Sequence, residues 1–86
     1  MNTQKIVIDL IIAERQMQDE KFGEQLHTPP EWVMIIGEEL GEVAKAALEN
    51  HFNGKPLHDY RMELVQLAAV CVNALESYYK NKRVIK

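Results

Sequence analysis

The stretch Gly37-Glu38-Glu39-Leu40-Gly41-Glu42 puts three carboxylates inside an otherwise apolar helical pattern, and this constrains the chain more than any other feature. At 3.6 residues per turn, Glu38 and Glu42 are one turn apart and Glu39 and Glu42 are three residues apart, so all three fall on one side of a helix. Like charges at that spacing repel by a few tenths of a kcal/mol when exposed, and by more as water withdraws. A positive counterpart is expected there. A hard divalent cation, Mg²⁺ or Mn²⁺, is the simplest one, because it takes carboxylate oxygens as ligands and cancels their repulsion. The plainer reading is a solvated acidic face with Lys45 one turn further on.

The flanking chain reads as helix throughout. From about Gln4 to Lys21, Ile6, Leu10, Ala13 and Met17 recur at helical spacing, Val7, Ile8, Ile11 and Ile12 widen the stripe, and Glu14, Arg15, Gln18 and Asp19 supply a polar side. Gly23 is a suitable stop. Thr28-Pro29-Pro30-Glu31 is a helix start: Thr28 caps, Pro29 sits where a missing N–H costs nothing, and Glu31 completes a capping box. The second helix is expected from about Pro29 to Glu49, with Trp32, Val33, Ile35, Ile36, Leu40, Val43, Ala44 and Ala47 on its apolar side. Gly37 and Gly41 each cost ~1 kcal/mol against alanine inside a helix, which points to close approach by another helix or a ligand. Asn50 to Pro56 reads as a loop, with Asn53-Gly54 and Pro56 as punctuation. The third helix is expected from Leu57 or His58 to about Tyr79. Every residue from Leu64 to Val72 except Gln66 is apolar, which predicts enclosure on most sides, and Glu63, Gln66 and Asn73 share a stripe on which each needs a partner.

These elements make an all-α chain: a single domain over residues 1–86, with three main helices forming part of an oligomeric bundle. At 86 residues the chain buries only ~60–65% of its unfolded surface, yet 47% of its residues are hydrophobic. More apolar surface exists than a lone three-helix core can hide, so a homodimer or homotetramer is expected. Ten basic and thirteen acidic residues give a net charge of −3, and the only basic cluster is Lys80, Lys82, Arg83 and Lys86, read as a solubilising tail. That is not the footprint of a nucleic-acid-binding protein. The apolar run from Ile6 to Ala13 is broken by Asp9 and suits neither a signal peptide nor a membrane span. The single cysteine, Cys71, lies between valines and reads as a small buried apolar group, which fits a reducing cytoplasm.

The acidic turn has a second half. Glu38-Glu39-x-x-Glu42, twenty intervening residues and Glu63-x-x-Gln66 resemble the two-part signature of the MazG-like all-α nucleoside triphosphate pyrophosphohydrolases, Glu-Glu-x-x-Glu followed by Glu-x-x-Asp. Ile36 to Ala46 is similar to that family's second-helix sequence. Glu63-Leu64-Val65-Gln66-Leu67-Ala68-Ala69-Val70 resembles a short branch with Gln at the last motif position, and Glu14 to Gln25 resembles the segment that precedes the acidic helix there. The resemblance covers most of residues 14 to 76. It implies a dimeric or tetrameric bundle that uses Mg²⁺ to cleave a nucleoside triphosphate between the α- and β-phosphates, giving monophosphate and pyrophosphate. It implies Glu39, Glu42 and Glu63 as metal ligands with Gln66 in the fourth position, Glu38 as a further ligand or the base that orients water, and Asn73 as a nucleoside contact. Lys45 and Lys55 are candidates for phosphate oxygens, and Phe22 and Trp32 for stacking on a base.

Metal-assisted attack of water on a phosphate ester needs charge neutralisation and an oriented water of lowered pKa, and a helical bundle can present carboxylates for both. No glycine-rich phosphate loop is present. Gln66 departs from the acid at its position: a neutral amide oxygen removes one negative charge and binds a hard cation more weakly, and Asp59, one turn before Glu63, is the nearest compensating acid. The competing expectation is a non-catalytic helical oligomerisation or nucleotide-sensing module that keeps the fold without turnover. Glu24-x-x-His27 has the spacing of a di-iron ligand pair, but it occurs once and in a loop, where such bundles need two on helices.

Overall fold

The computed structural model describes residues 2–81 as three helices, α1 (Thr3–Phe22), α2 (Pro29–Asn53) and α3 (Leu57–Asn81). Their ends are set by local chemistry. The Asn2 side chain caps α1 by accepting from the Lys5 N–H at 3.1 Å, and α1 closes at Gly23, whose φ of 70° belongs to glycine. The capping box of α2 forms in full: Thr28 Oγ1 accepts from the Glu31 N–H at 3.4 Å and Glu31 Oε1 accepts from the Thr28 N–H at 2.8 Å. These contacts hold the exposed Glu31 carboxyl below its ordinary pKa.

α2 continues to Asn53, past the Glu49 end expected from sequence. Gly54 in the left-handed conformation is the true stop, with its N–H on the Asn50 carbonyl, so the Asn50–Asn53 segment expected as loop is helical. The connection shrinks to residues 54–56, where the Asn50 side-chain amide donates to the Lys55 carbonyl.

α3 is the central element: α1 and α2 each pack on it, and no packing links α1 to α2. The buried apolar core is thin, comprising Trp32, Val43, Ala46, Ala69 and Val70. The predicted enclosure of α3 is only partial, since Ala69 and Val70 are buried, Leu64 is exposed and their neighbours are half-buried.

Two faces also turn differently from expectation. On α2 the buried side is Trp32, Val43 and Ala46, while Val33, Leu40 and Ala44 are exposed. On α1, Ile6, Ala13 and Met17 are exposed, and the polar side faces inward with Arg15 as its buried residue. The cause is a charged clip. Arg15 Nε donates to Glu76 at 2.7 Å, Nη1 donates to Asp19, and Nη2 donates to Asn73 Oδ1 at 3.0 Å, which ties α1 to α3. Burial opposes the charge on Arg15, but the bonds to Asp19 and Glu76 outweigh it and hold the guanidinium above its ordinary pKa. No described helix is long and apolar enough to cross a membrane.

Candidate functional site

Because α1 and α2 flank α3 without touching, a cleft remains between them with α3 as its floor. It has a volume of about 570 Å³ and is lined by Glu14, Gln18 and Phe22 of α1, Glu39 of α2, and Met62 and Gln66 of α3. A second cavity of about 270 Å³ shares Gln18, Phe22 and Glu39 and continues to Trp32, Val70 and Asn73. Gln18 bridges the floor, its amide donating to the Glu14 carboxylate at 3.4 Å and the Gln66 backbone carbonyl at 3.5 Å.

Glu39 stands where the two spaces meet. It is half-buried, whereas Glu38 and Glu42 are exposed. Burial, and then the charges of Glu63, Glu42, Glu14 and Glu38 in that order, hold its carboxyl above the ordinary glutamate pKa. Negative charge from all three helices therefore converges on this side chain. Among the described residues, no three His, Cys, Asp or Glu side chains are gathered tightly enough to grip one ion as they stand. The donor chemistry nonetheless suits a hard cation: the set is carboxylate and amide oxygen, and the repulsion on Glu39 is what a divalent ion relieves. Holding the ion would draw the exposed Glu42 and the half-buried Glu63 inward.

The remaining predicted residues separate into two groups. Gln66, Phe22, Trp32 and Asn73 come together around Glu39, with Phe22 largely exposed and Trp32 and Asn73 buried. An arginine can only donate, so Asn73 must turn its carbonyl oxygen to Arg15, which leaves its NH₂ as the group available on the cavity side. The Trp32 ring meets His27 edge-on at 4.8 Å, and its buried Nε1–H has no hydrogen-bond partner among the described residues, a costly state for a donor. Lys45 is exposed on α2 and Lys55 sits in the α2–α3 connection, and neither lines the two cavities. Asp59 is exposed in the first turn of α3.

Sequence reading missed Glu14 as a member of the acidic group and Gln18 and Met62 as cleft walls. The heptad-like offset of Glu14 from Lys21 gives no such signal; the position of α1 on α3 does. Gly37 and Gly41 were expected to admit a close neighbour, but a methyl group built on either meets nothing within 4 Å in this chain. Of the C-terminal basic cluster, Lys80 pairs with Glu24 at 3.7 Å, and Lys82, Arg83 and Lys86 lie outside the described residues.

The fold and cleft define an all-α, three-helix protein with an acidic site between its outer helices. No protein-family model, no curated protein and no solved structure matches the chain.

Proposed function

We propose that the protein is a Mg²⁺-dependent nucleoside triphosphate pyrophosphohydrolase, releasing a nucleoside monophosphate and pyrophosphate in nucleotide-pool house-cleaning in the cytoplasm. The observation that carries this reading is the half-buried Glu39, destabilised as an anion by Glu63, Glu42, Glu14 and Glu38 at the mouth of a cavity lined by Phe22, Trp32 and Asn73. The motif resemblance to MazG-like enzymes supports it from the sequence side.

Glu39, Glu42 and Glu63 would hold Mg²⁺, or Mn²⁺ in its place, with the Gln66 amide as a weaker neutral donor. Such an ion supplies neutralisation of phosphate charge and a bound water of lowered pKa. The chain's own residues do the rest. Glu38, exposed one residue before Glu39, accepts the proton of the attacking water. Phe22 and Trp32 offer aromatic surface to a base, and the Asn73 NH₂, oriented by Arg15, offers it a donor.

The test is pyrophosphate release from a panel of canonical and modified nucleoside triphosphates, with Mg²⁺, with Mn²⁺ and with EDTA. Monophosphate and pyrophosphate formed only with metal support the proposal; no turnover across the panel refutes it. A second reading, a non-catalytic nucleotide-sensing module, draws on the neutral Gln66 and on the unconverged carboxylates. It requires a metal- or nucleotide-dependent rise in Tm without any product.

A further inference from the structure

The cleft and the cavity that continues it have two chemically different ends. On α2, Glu39 and Trp32 are seven residues apart, and on α3 so are Gln66 and Asn73. The three-residue connection 54–56 makes the two helices antiparallel, so the step back along α2 and the step forward along α3 run the same way. Seven residues of helix rise ~10 Å. Glu39 and Gln66 therefore mark one end and Trp32 and Asn73 the other, with the 270 Å³ cavity reaching from Glu39 to Asn73. A nucleotide with its phosphates at the acidic end has its base at the second end. The part of a base farthest from its sugar, the substituent on C4 of a pyrimidine or C6 of a purine, then meets the Asn73 wall.

That wall has a fixed sign. Asn73 Oδ1 accepts from Arg15 Nη2 at 3.0 Å in a buried bond, and Arg15 is held in turn by Glu76 at 2.7 Å and by Asp19. A guanidinium has no acceptor and keeps its charge, so turning the Asn73 amide over would set NH₂ against N–H and leave both unpaired. The amide is locked with its NH₂ as the free group. Gln25 and His27 line the same cavity and can each present a donor or an acceptor, so the locked Asn73 sets the preference. Trp32, Val70 and Asn73 are all buried, which makes a mismatched polar group costly there.

We infer that the cavity selects nucleotides whose base carries a carbonyl at that position, as uracil, thymine, guanine and hypoxanthine do, over the amino bases cytosine and adenine. Asn73 is the specificity-determining residue, and Arg15 is the positioning residue that fixes its amide. The carbonyl accepts from the Asn73 NH₂, whereas an amino group meets it donor to donor. The inference rests on the reading of the cleft as a nucleotide site and does not depend on turnover.

The experiment is calorimetric titration of the full chain, with Mg²⁺ present, by two pairs of α,β-methylene nucleoside triphosphates, uridine against cytidine and inosine against adenosine. The methylene bridge resists cleavage between the α- and β-phosphates, so binding is read without hydrolysis. The wild type is expected to bind the carbonyl member of each pair at least about tenfold more tightly. Asn73→Asp keeps one oxygen for Arg15 and turns a second, an acceptor, to the cavity, so the preference is expected to reverse, whatever the added charge does to both affinities together. Arg15→Met removes the donor that locks the amide and is expected to gain affinity for the amino members, which a loss of fold cannot produce. Should Arg15→Met lose its helicity by circular dichroism, Asn73→Asp decides. A wild type that binds both members alike, or prefers the amino member, overturns the inference and leaves the nucleotide reading standing. So does a folded variant at Asn73 or Arg15 that keeps the wild-type ratio. Binding of none of the four overturns both.

Discussion

Replacing Glu39 by Gln is expected to stabilise the metal-free protein at neutral pH. The substitution keeps the shape of the side chain and removes the charge that burial and four neighbouring carboxylates oppose. A like-charge neighbour on a helix surface costs ~0.2–0.5 kcal/mol. Four such neighbours, screened by the solvent that reaches Glu38 and Glu42, bring the relief to about 1 kcal/mol in all. For a domain of this size that is a rise in Tm of about 4–8 °C. The pH dependence follows from the raised pKa. Below the ordinary glutamate value, about 4.3, the carboxyl is protonated in both folded and unfolded chains and carries no penalty. As pH rises from there through the raised folded value, the unfolded chain gives up its proton first, so wild-type stability falls and then levels off. The gain of Glu39→Gln is therefore present at pH 7.5 and gone at pH 3.5. Calorimetric melts in EDTA at both pH values and at one protomer concentration measure it, because Tm depends on concentration wherever copies of a chain associate. If the cleft holds Mg²⁺ as proposed, saturating Mg²⁺ is expected to narrow the difference, since a neutral amide binds a hard cation more weakly than a carboxylate. An unchanged or lower Tm at pH 7.5, or a gain that survives at pH 3.5, refutes the electrostatic account of the cleft.

Three further outcomes follow from the same structure. Arg15→Ala leaves the buried Asn73 carbonyl without its donor and frees Glu76 and Asp19, a loss of about 2 kcal/mol; it is read as a drop of 1–2 M in urea midpoint at an m-value of about 1–2 kcal/mol/M. Thr28→Ala removes half the capping box of α2 and costs ~1 kcal/mol, measurable in the same titration and independent of metal. On the proposed function, Glu42→Ala is expected to abolish metal-dependent pyrophosphate release while leaving the far-ultraviolet circular dichroism of the wild type, and activity that persists removes Glu42 from the proposed site.

The helices themselves were readable because their signals are local. Thr28, Pro29 and Glu31 form their capping box within one turn, and glycines close α1 and α2 where left-handed backbone is needed. The misjudged end of α2 has the same origin: Asn50 and Asn53 suggest a loop by type, but the backbone stays helical until Gly54 permits the reversal. The apolar periodicity of α2 was also read correctly as periodicity. It could not say which of two apolar faces, Trp32 with Val43 or Val33 with Leu40, belongs to the protomer core.

What the sequence determines by itself is three helices, their approximate limits and the carboxylates that share α2, because each follows from spacing of a few residues along one chain. The tertiary structure decides which sides meet. Arg15 looks like a solvated residue in sequence and becomes the buried link between α1 and α3, because Asn73 and Glu76 lie far along the chain and only packing brings them to it. Glu39 is likewise one of three similar acids until Glu14 and Glu63 arrive from the other helices. Local hydrogen bonds and dihedral preferences act within a turn, whereas burial and Coulomb repulsion between distant residues exist only once the helices are side by side.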